Sequence, residues 1–406
     1  MAERLNNIMR EPVAEFSELG RKKPQRDRGG KMDGACLLGI LLLLIVGLIA
    51  LFSASYADSF YSYGDATRLI KQQAIFAAMG VALMLAIARV PHPIVPYRMA
   101  LNMHRLIYLI GIGLLVATLL IGTDNNTFAT RWINIAGITF QSSELMKIAV
   151  IISVASKAQR DGDKVRKFGH IFREYGTMLL AVVILLMMQP HMSATMIILA
   201  TAALMLYVAG MPGWIFPFGI AGVAGAFGVI WSGMIQWDKI AHVRDRLVNW
   251  LDPFADLLNG GWQAANSFVA IGSGGFWGLG LGHGRQKHGS LSEPANDFIF
   301  SVWCEEMGFI GAMLVVLLFA FLIYRGFYIA RNASDKGGCL LATGITAKLA
   351  IQTFMNLFVV TGLMPVTGAA LPFFSYGGTA LLLQLAEMGL LLNISRYMRP
   401  EARESS

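Results

Sequence analysis

The sequence predicts an all-α polytopic membrane protein with about ten transmembrane helices and one large extracytoplasmic loop, and three observations predict it. Hydrophobic residues make up 55% of the 406 and charged residues only 14%, where soluble globular chains carry roughly 25% charged. The apolar residues gather in runs of spanning length, about 20 residues being needed to cross the hydrocarbon core. The Lys and Arg residues sit between those runs, with an excess on one set of alternate connections, as the positive-inside rule requires.

The runs fall at about 34–55, 74–89, 106–121, 143–157, 177–189, 193–209, 214–231, 298–324, 339–361 and 379–395. The fourth and fifth are short for a span, so either their neighbours shelter them or their true ends lie further out. This divides the chain into a basic cytoplasmic tail (1–33), a ten-helix membrane domain (34–397) and a cytoplasmic C-terminal tail (398–406). Some thirty mostly polar residues precede the first run and no small-residue cleavage site follows it, so the run reads as a retained signal anchor. Of the 33 Lys and Arg residues, only Arg68, Lys71, Arg131, Lys239, Arg244, Arg246, Arg285 and Lys287 fall on the side opposite the N-terminus, and Lys147 and Lys348 lie within spans. Both termini are therefore expected in the cytoplasm.

The formal charge of +8 serves orientation rather than nucleic-acid binding, because the cations are dispersed in short connections. The basic tail is also suited to anionic lipid, at about 1 kcal/mol per cation near the surface. Cys36, Cys304 and Cys339 show neither metal-ligand nor disulfide spacing. Two inverted halves would suggest a transporter, but the two sets of five spans carry no matching Gly/Pro breaks.

The topology leaves one long external loop, residues 232–296, and such loops in compact proteins are commonly functional. It contains Trp237, Trp250, Trp262 and Trp277 and a Gly-rich run at 272–284. A short interfacial helix is expected near residues 263–271. The glycines admit two readings: backbone N–H groups cradling a phosphate, or a re-entrant segment packing closely against helices. They lack the ending of a P-loop and the strand-to-helix context of a dinucleotide site.

Three clusters carry candidate chemistry. Asp297 stands at the outer mouth of the eighth span, where it reads as a helix cap or as a functional carboxylate. Glu305 and Glu306 lie roughly 12–14 Å deeper, with Glu387 at similar depth, and ionisable groups there are costly and usually functional. At about 100° per residue only one of Glu305 and Glu306 shares the Asp297 side. The second cluster is Arg131 and Trp132 followed by Gln141, Ser142, Ser143, Glu144 and Lys147. It reads as a capped helix with a local i,i+3 ion pair, or as outward-facing cations that meet a pyrophosphate or carboxylate. The third is the Pro- and Gly-dense stretch 356–379, which should break helices; such backbone at membrane depth is tolerated only where protein buries it or it lines a cavity.

Taken together, these pieces resemble the SEDS family (shape, elongation, division and sporulation), the cell-wall glycosyltransferases of the FtsW/RodA type. The hallmark near the last span is an Asn, then Gly-x-x-Pro-x-x-Gly, then Leu-Pro and Ser-Tyr-Gly-Gly. Here it reads Asn356, Gly362, Pro365, Gly368, Leu371, Pro372 and Ser375, Tyr376, Gly377, Gly378. Arg131-Trp132, the run 141–147, the glycines of 277–282 and the run 293–306 match further motifs in order and spacing, so the resemblance covers about 35–397. Departures are Ala369 for a larger aliphatic residue, His191 for the Asp of Gln-Pro-Asp, Ser292 for Pro and Asn296 for Thr. If the missing Asp handles cations or lipid phosphate, His191 makes that role pH-sensitive or absent.

The resemblance implies polymerisation of lipid II, a disaccharide-pentapeptide on undecaprenyl pyrophosphate, into β-1,4 glycan strands at the outer face of the bacterial plasma membrane. An α-linked donor and a β-linked product require one inverting displacement, with a base for the acceptor hydroxyl and positive charge for the departing pyrophosphate. Asp297 is the candidate base, and Arg131, Lys147, Arg244 and Arg246 are candidate phosphate contacts. Trp132, Glu144, Gln263, Lys287, Glu293, Ser375, Gly377 and Gly378 complete the expected substrate-binding set. No cofactor is required, although a divalent cation (Mg or Mn) would suit the leaving group; no ligand set for it is legible. A class B penicillin-binding transpeptidase and division or elongation proteins are the implied partners. A lipid II flippase and a non-catalytic division scaffold are the alternative readings.

Overall fold

The computed structural model describes residues 29–90, 95–122, 131–135, 138–215, 249–255, 261–291 and 293–399. The helices are α1 (Gly34–Tyr63), α2 (Arg68–Arg89), the short α3 (Pro96–Asn102), α4 (His104–Ile121) and α5 (Ser142–Asp161), then α6 (Phe168–Met188) and α7 (Met192–Ala209). Further along the chain come α8 (Trp262–Gly274), α9 (Ile299–Arg331), α10 (Lys336–Val360) and α11 (Gly378–Ser395).

Eight of the described helices are long and apolar enough to cross a membrane, as expected of a polytopic helical membrane protein. The fourth expected span, α5, falls short in hydropathy because it carries Glu144, Lys147, Lys157, Arg160 and Asp161. It is nonetheless packed inside the bundle against α4, α7 and α10, and its 20 residues are ample to span. The fifth reaches 21 residues because a π-helical turn, Phe172–Gly176, extends it at its start. Both spans looked short only because polar residues at their ends disguised the boundaries. Residues 216–231 of the expected seventh span lie outside the described residues. One departure from an all-helical chain is a two-stranded hairpin, β1 (Trp132–Ile135) against β2 (Ile138–Gln141), in which Trp132 faces Gln141.

Local chemistry sets the helix ends. The Asp33 carboxylate caps α1 by accepting from the Cys36 amide at 2.8 Å and pairs with Arg325 at 2.5 Å. Gly64, at φ 70°, ends the same helix in the left-handed region where only glycine is unstrained. α10 opens on Asp335, which accepts from the Gly338 amide at 2.7 Å.

α10 is the axis of the bundle. Of its apolar window 83% is buried, against α9, α7, α5 and α11. Lys348, Gln352 and Asn356 recur every four residues along it and so share one face. All three are buried. Lys348 donates to both carboxylate oxygens of Glu387 on α11 at 2.9 Å.

Breaking a buried ion pair strands the remaining charge at about 3–5 kcal/mol, whereas replacing both members by apolar groups is often neutral. Lys348→Met should therefore lower the thermal unfolding temperature of detergent-purified protein sharply, and Lys348→Met with Glu387→Leu should recover most of it. Equal melting of wild type and the single variant would contradict this role.

Candidate functional site

Asp297 lies immediately before α9. The helix cap position is Phe298, so Asp297 stands one residue outside the helix. Its residue is half-buried. Its main chain is fixed from α10: the Asn356 amide donates to the Asp297 carbonyl and to the Ala369 carbonyl, at 2.7 Å each. Gly368, at φ 72°, is a place where a Cβ would come 3.3 Å from Asp297 Oδ2. Only glycine supplies that backbone and leaves that space beside the carboxylate.

The irregular stretch after α10 is stapled to the Asp297 loop. Ser375 Oγ donates to the Asn296 carbonyl at 2.7 Å and accepts from the Leu371 amide at 2.8 Å, and the Tyr376 amide donates to the Ala295 carbonyl at 2.9 Å. Gln73, on α2 and 1% exposed, accepts from the Gly377 amide at 3.2 Å and donates to the Ser375 carbonyl at 3.3 Å. A Cβ on Gly378 would strike the Phe76 ring. Ser375, Gly377 and Gly378, expected to bind substrate, make internal contacts, and their small size and hydrogen bonds help to set the loop. Glu293, exposed and at φ 60°, closes a turn by accepting from the Asn296 amide and side chain, the latter at 2.6 Å.

Lys147 departs from the expectation that it faces outward. It is 3% exposed, pairs with Glu144 at 2.7 Å and donates to Gln352 Oε1 at 3.2 Å. The i,i+3 spacing brings the two charges together, and an ammonium at membrane depth is retained only when paired. Gln352 in turn donates to the Ala370 carbonyl at 2.9 Å. Lys147 and Asp297 are thus tied to the same face of α10 one turn apart, about 6 Å along its axis.

The hairpin closes this end of the bundle. Thr379 Oγ1 donates to the Thr139 carbonyl at 3.0 Å, so β2 rests on the start of α11. Arg131 donates to the Pro190 carbonyl at 2.6 Å and Trp132 is half-buried in β1. His191, in the turn between α6 and α7, sits 3.5 Å from Gln141. Burial, followed by the Arg131 and Lys147 charges, pushes its imidazole down to about 3. It stays neutral near pH 7, so the exchange of Asp for His removes a negative charge without installing a pH switch. Arg244 and Arg246 lie outside the described residues. Gln263 is half-buried in the first turn of α8, one turn before Ser267, which bonds Ser301 of α9 at 2.7 Å and the Val360 carbonyl at 2.8 Å.

The Gly-rich run is a re-entrant brace. α9 breaks at Gly308, where φ is 61° and ψ −164°, and the run fills the notch. The Leu279 and Gly280 amides donate to the Glu305 and Glu306 carbonyls at 3.0 and 2.9 Å, and the Phe309 amide donates back to the Gly275 carbonyl at 3.0 Å. A Cβ on Gly274 or Gly278 would collide with the α9 backbone. Both deep carboxylates serve the same segment. Glu305 accepts from the Arg285 amide at 2.8 Å, and Glu306 takes Ser53 Oγ at 2.6 Å and Lys287 Nζ at 2.6 Å. Lys287 is 3% exposed and spends its three donors on Glu306, Ser53 and the Gly282 carbonyl. It is a brace where a substrate contact was expected, because a cation entering this depth must be neutralised. Among the described residues no group of three or more His, Cys, Asp or Glu side chains is placed to hold a metal ion. The described residues thus offer no dedicated cage for Mg or Mn, and no step below passes through one.

Sequence reasoning overlooked Gln73, Gln352 and Ser53 and gave Asn356 no role of its own. Their signal was available: lone amides at i,i+4 in an otherwise apolar span, or a buried Gln facing the same mouth.

A family model described as cell cycle protein (FtsW, RodA, SpoVE) matches residues 34–400. The chain belongs to this family. Within the family it is similar to the stage V sporulation protein E of Bacillus subtilis (strain 168), with 37% identity over 361 residues covering 88% of this chain and 95% of the relative. It is also similar to a probable peptidoglycan glycosyltransferase FtsW of Geobacter sp. (strain M18), at 35% identity over 91% of this chain and 98% of the relative. Its fold matches that of a chain from a peptidoglycan synthase complex, with TM-score 0.74 and 24% identity, over 91% of this chain and 99% of the other. The rod shape determining protein RodA of Thermus thermophilus shares the fold at TM-score 0.62 and 24% identity, over 90% of this chain and 97% of that one.

Lys287→Met leaves the Glu306 carboxylate buried without its cation. Loss of even 1.4 kcal/mol in this local clamp multiplies the open fraction of the run roughly tenfold, so trypsin should cut after Arg285 correspondingly faster. Unchanged cleavage kinetics would show that the backbone bonds to α9 suffice alone.

Proposed function

We propose that this chain is a peptidoglycan glycosyltransferase that polymerises lipid II into β-1,4 glycan strands at the outer face of the bacterial plasma membrane, with both its termini in the cytoplasm. The observation that carries the reading is the setting of Asp297. It is a half-buried residue just outside its helix, held through its main chain by Asn356, with Gly368 leaving room beside its carboxylate. A general base needs this combination of fixed position and access to a substrate proton.

In the proposed step Asp297 takes the proton of the acceptor hydroxyl while that oxygen forms a bond to C1 of the donor sugar. The C1–oxygen bond to pyrophosphate breaks with inversion, and the leaving group departs with the electron pair. Its charge falls to nearby cations, for which Arg131, Arg244 and Arg246 are the candidates suited to bidentate phosphate contact. Lys147 acts as a positioning residue through Gln352 and α10. Relatives named as peptidoglycan glycosyltransferases support the reaction class. A structural neighbour taken from a complex that coordinates polymerisation and crosslinking supports a crosslinking partner, which we propose is a class B penicillin-binding transpeptidase.

Asp297→Asn keeps shape and hydrogen bonding but not proton acceptance, which typically contributes 10²–10⁴-fold. The purified variant should remain folded and lose glycan-chain formation from lipid II at pH near 7 by that factor. Undiminished synthesis would remove Asp297 as base and favour a lipid flippase. Cys36, Cys304 and Cys339 are all buried, so a Ser290→Cys variant offers a clean probe of orientation. A membrane-impermeant thiol reagent should label it in intact spheroplasts from outside; labelling from the inner face alone would reverse the topology.

A further inference from the structure

At the end of the bundle opposite Asp297, a cavity of about 350 Å³ opens between α4, α5 and α6. That it lies at the opposite end follows from α4 and α5. Thr118 near the end of α4 bonds Ser142 at the start of α5 at 2.7 Å, on the side of the hairpin, whereas the cavity is lined by His104 and Arg105 at the start of α4 and by Arg160 and Asp161 at the end of α5. Its volume lies within the range of ligand pockets, roughly 300–1,000 Å³.

The charges that line it do not cancel. Glu174 is taken by Lys157, which donates to its carboxylate at 3.1 Å and its carbonyl at 2.8 Å. Asp161 is taken by His170 at 2.7 Å and by the Tyr175 hydroxyl at 2.8 Å. Arg105 and Arg160 have no hydrogen bond or ion pair among the described residues, and His104, 4% exposed, has a buried Nδ1 with no partner. Two guanidinium groups without a protein partner among the described residues therefore border one concave space, and the chemistry that satisfies them is an oxyanion.

The cavity's position identifies the carrier of that oxyanion. α4 has 18 residues, about 27 Å, so its first residue lies at headgroup level of a core about 30 Å thick. Leu109, one turn after Arg105 on the same face, is 64% exposed, and Leu180 on α6 is 57% exposed. In a membrane these surfaces beside the cationic cavity meet acyl chains. We propose that it is a binding site for the phosphate headgroup of an anionic phospholipid, held by Arg105 and Arg160 with its acyl chains along α4 and α6. Basic pockets between spans at the membrane surface suit such headgroups. This site is separate from the Asp297 mouth and does not depend on the reaction proposed there.

Native mass spectrometry of the full chain in detergent tests it, with phosphatidylglycerol, phosphatidylcholine and inorganic phosphate as probes. One phosphatidylglycerol should be retained in preference to phosphatidylcholine. Arg105→Gln with Arg160→Gln should weaken that retention roughly tenfold or more. Both arginines are exposed, so melting should be unchanged. Lys167→Gln with Arg331→Gln, also exposed and at the same end, should leave retention intact. Equal retention in the Arg105/Arg160 variant, or equal loss in the control, would overturn the proposal, the latter by revealing general attraction. Displacement of the lipid by millimolar inorganic phosphate would also overturn it, by making this a soluble-anion site.

Discussion

A buried charge in this bundle must find its partner inside the protein, and the placement of everything around the Asp297 mouth depends on that constraint. Neither water nor lipid is available to Lys348, Lys147, Glu144 and Glu387 at their depth, so each is bound to another residue. The pairs are not independent. Lys348, Gln352 and Asn356 form a single polar line on α10 that joins α11 at its inner end, α5 in the middle and the Asp297 loop at the mouth. Such a line fixes the rotation of α10 about its axis, because turning the helix would strand three polar groups at once. The buried pairs add less to net stability than to register, in keeping with the modest worth of ion pairs against apolar replacements.

The same constraint explains how irregular backbone survives at this end. The stretch after α10 and the Gly-rich run both leave amides and carbonyls that a helix would have satisfied internally. In the first case Ser375, Gln73, Gln352 and Asn356 supply side-chain partners; in the second, the break of α9 at Gly308 exposes carbonyls that the incoming run consumes. The kink and the loop are therefore one feature. Each would leave unpaired polar backbone without the other, at a cost of several kcal/mol per group in hydrocarbon.

Much of this was legible in the sequence, and the failures share a cause. The spans were readable because hydrophobicity over 20 residues integrates away local noise; α5 and α6 were misjudged at their ends, where polar residues continue a helix whose apolar signal has stopped. The glycines of 272–284 were correctly assigned a close-packing option, but nothing in their spacing tells which backbone they meet. Lys147, Lys287 and Ser375 were credited with ligands because an isolated polar residue near a motif looks available. Availability is a property of the pairing, and pairing across the bundle joins residues such as Ser53 and Glu306 that are far apart in the chain. Asp297 could be singled out because its position before a long apolar run does not depend on long-range partners.

The Asp297 loop is held by its neighbours through its main chain, and which atoms do the holding can be read from the bonds. The Asp297 loop is anchored through carbonyls at residues 295, 296 and 297, so its position is set without recruiting the Asp297 carboxylate into those bonds. Asn356 and Ser375 anchor the main chain of this loop, and Gly368 leaves room beside the Asp297 carboxylate. Small and amide-bearing residues at this end thus serve to hold the backbone of the Asp297 loop from behind.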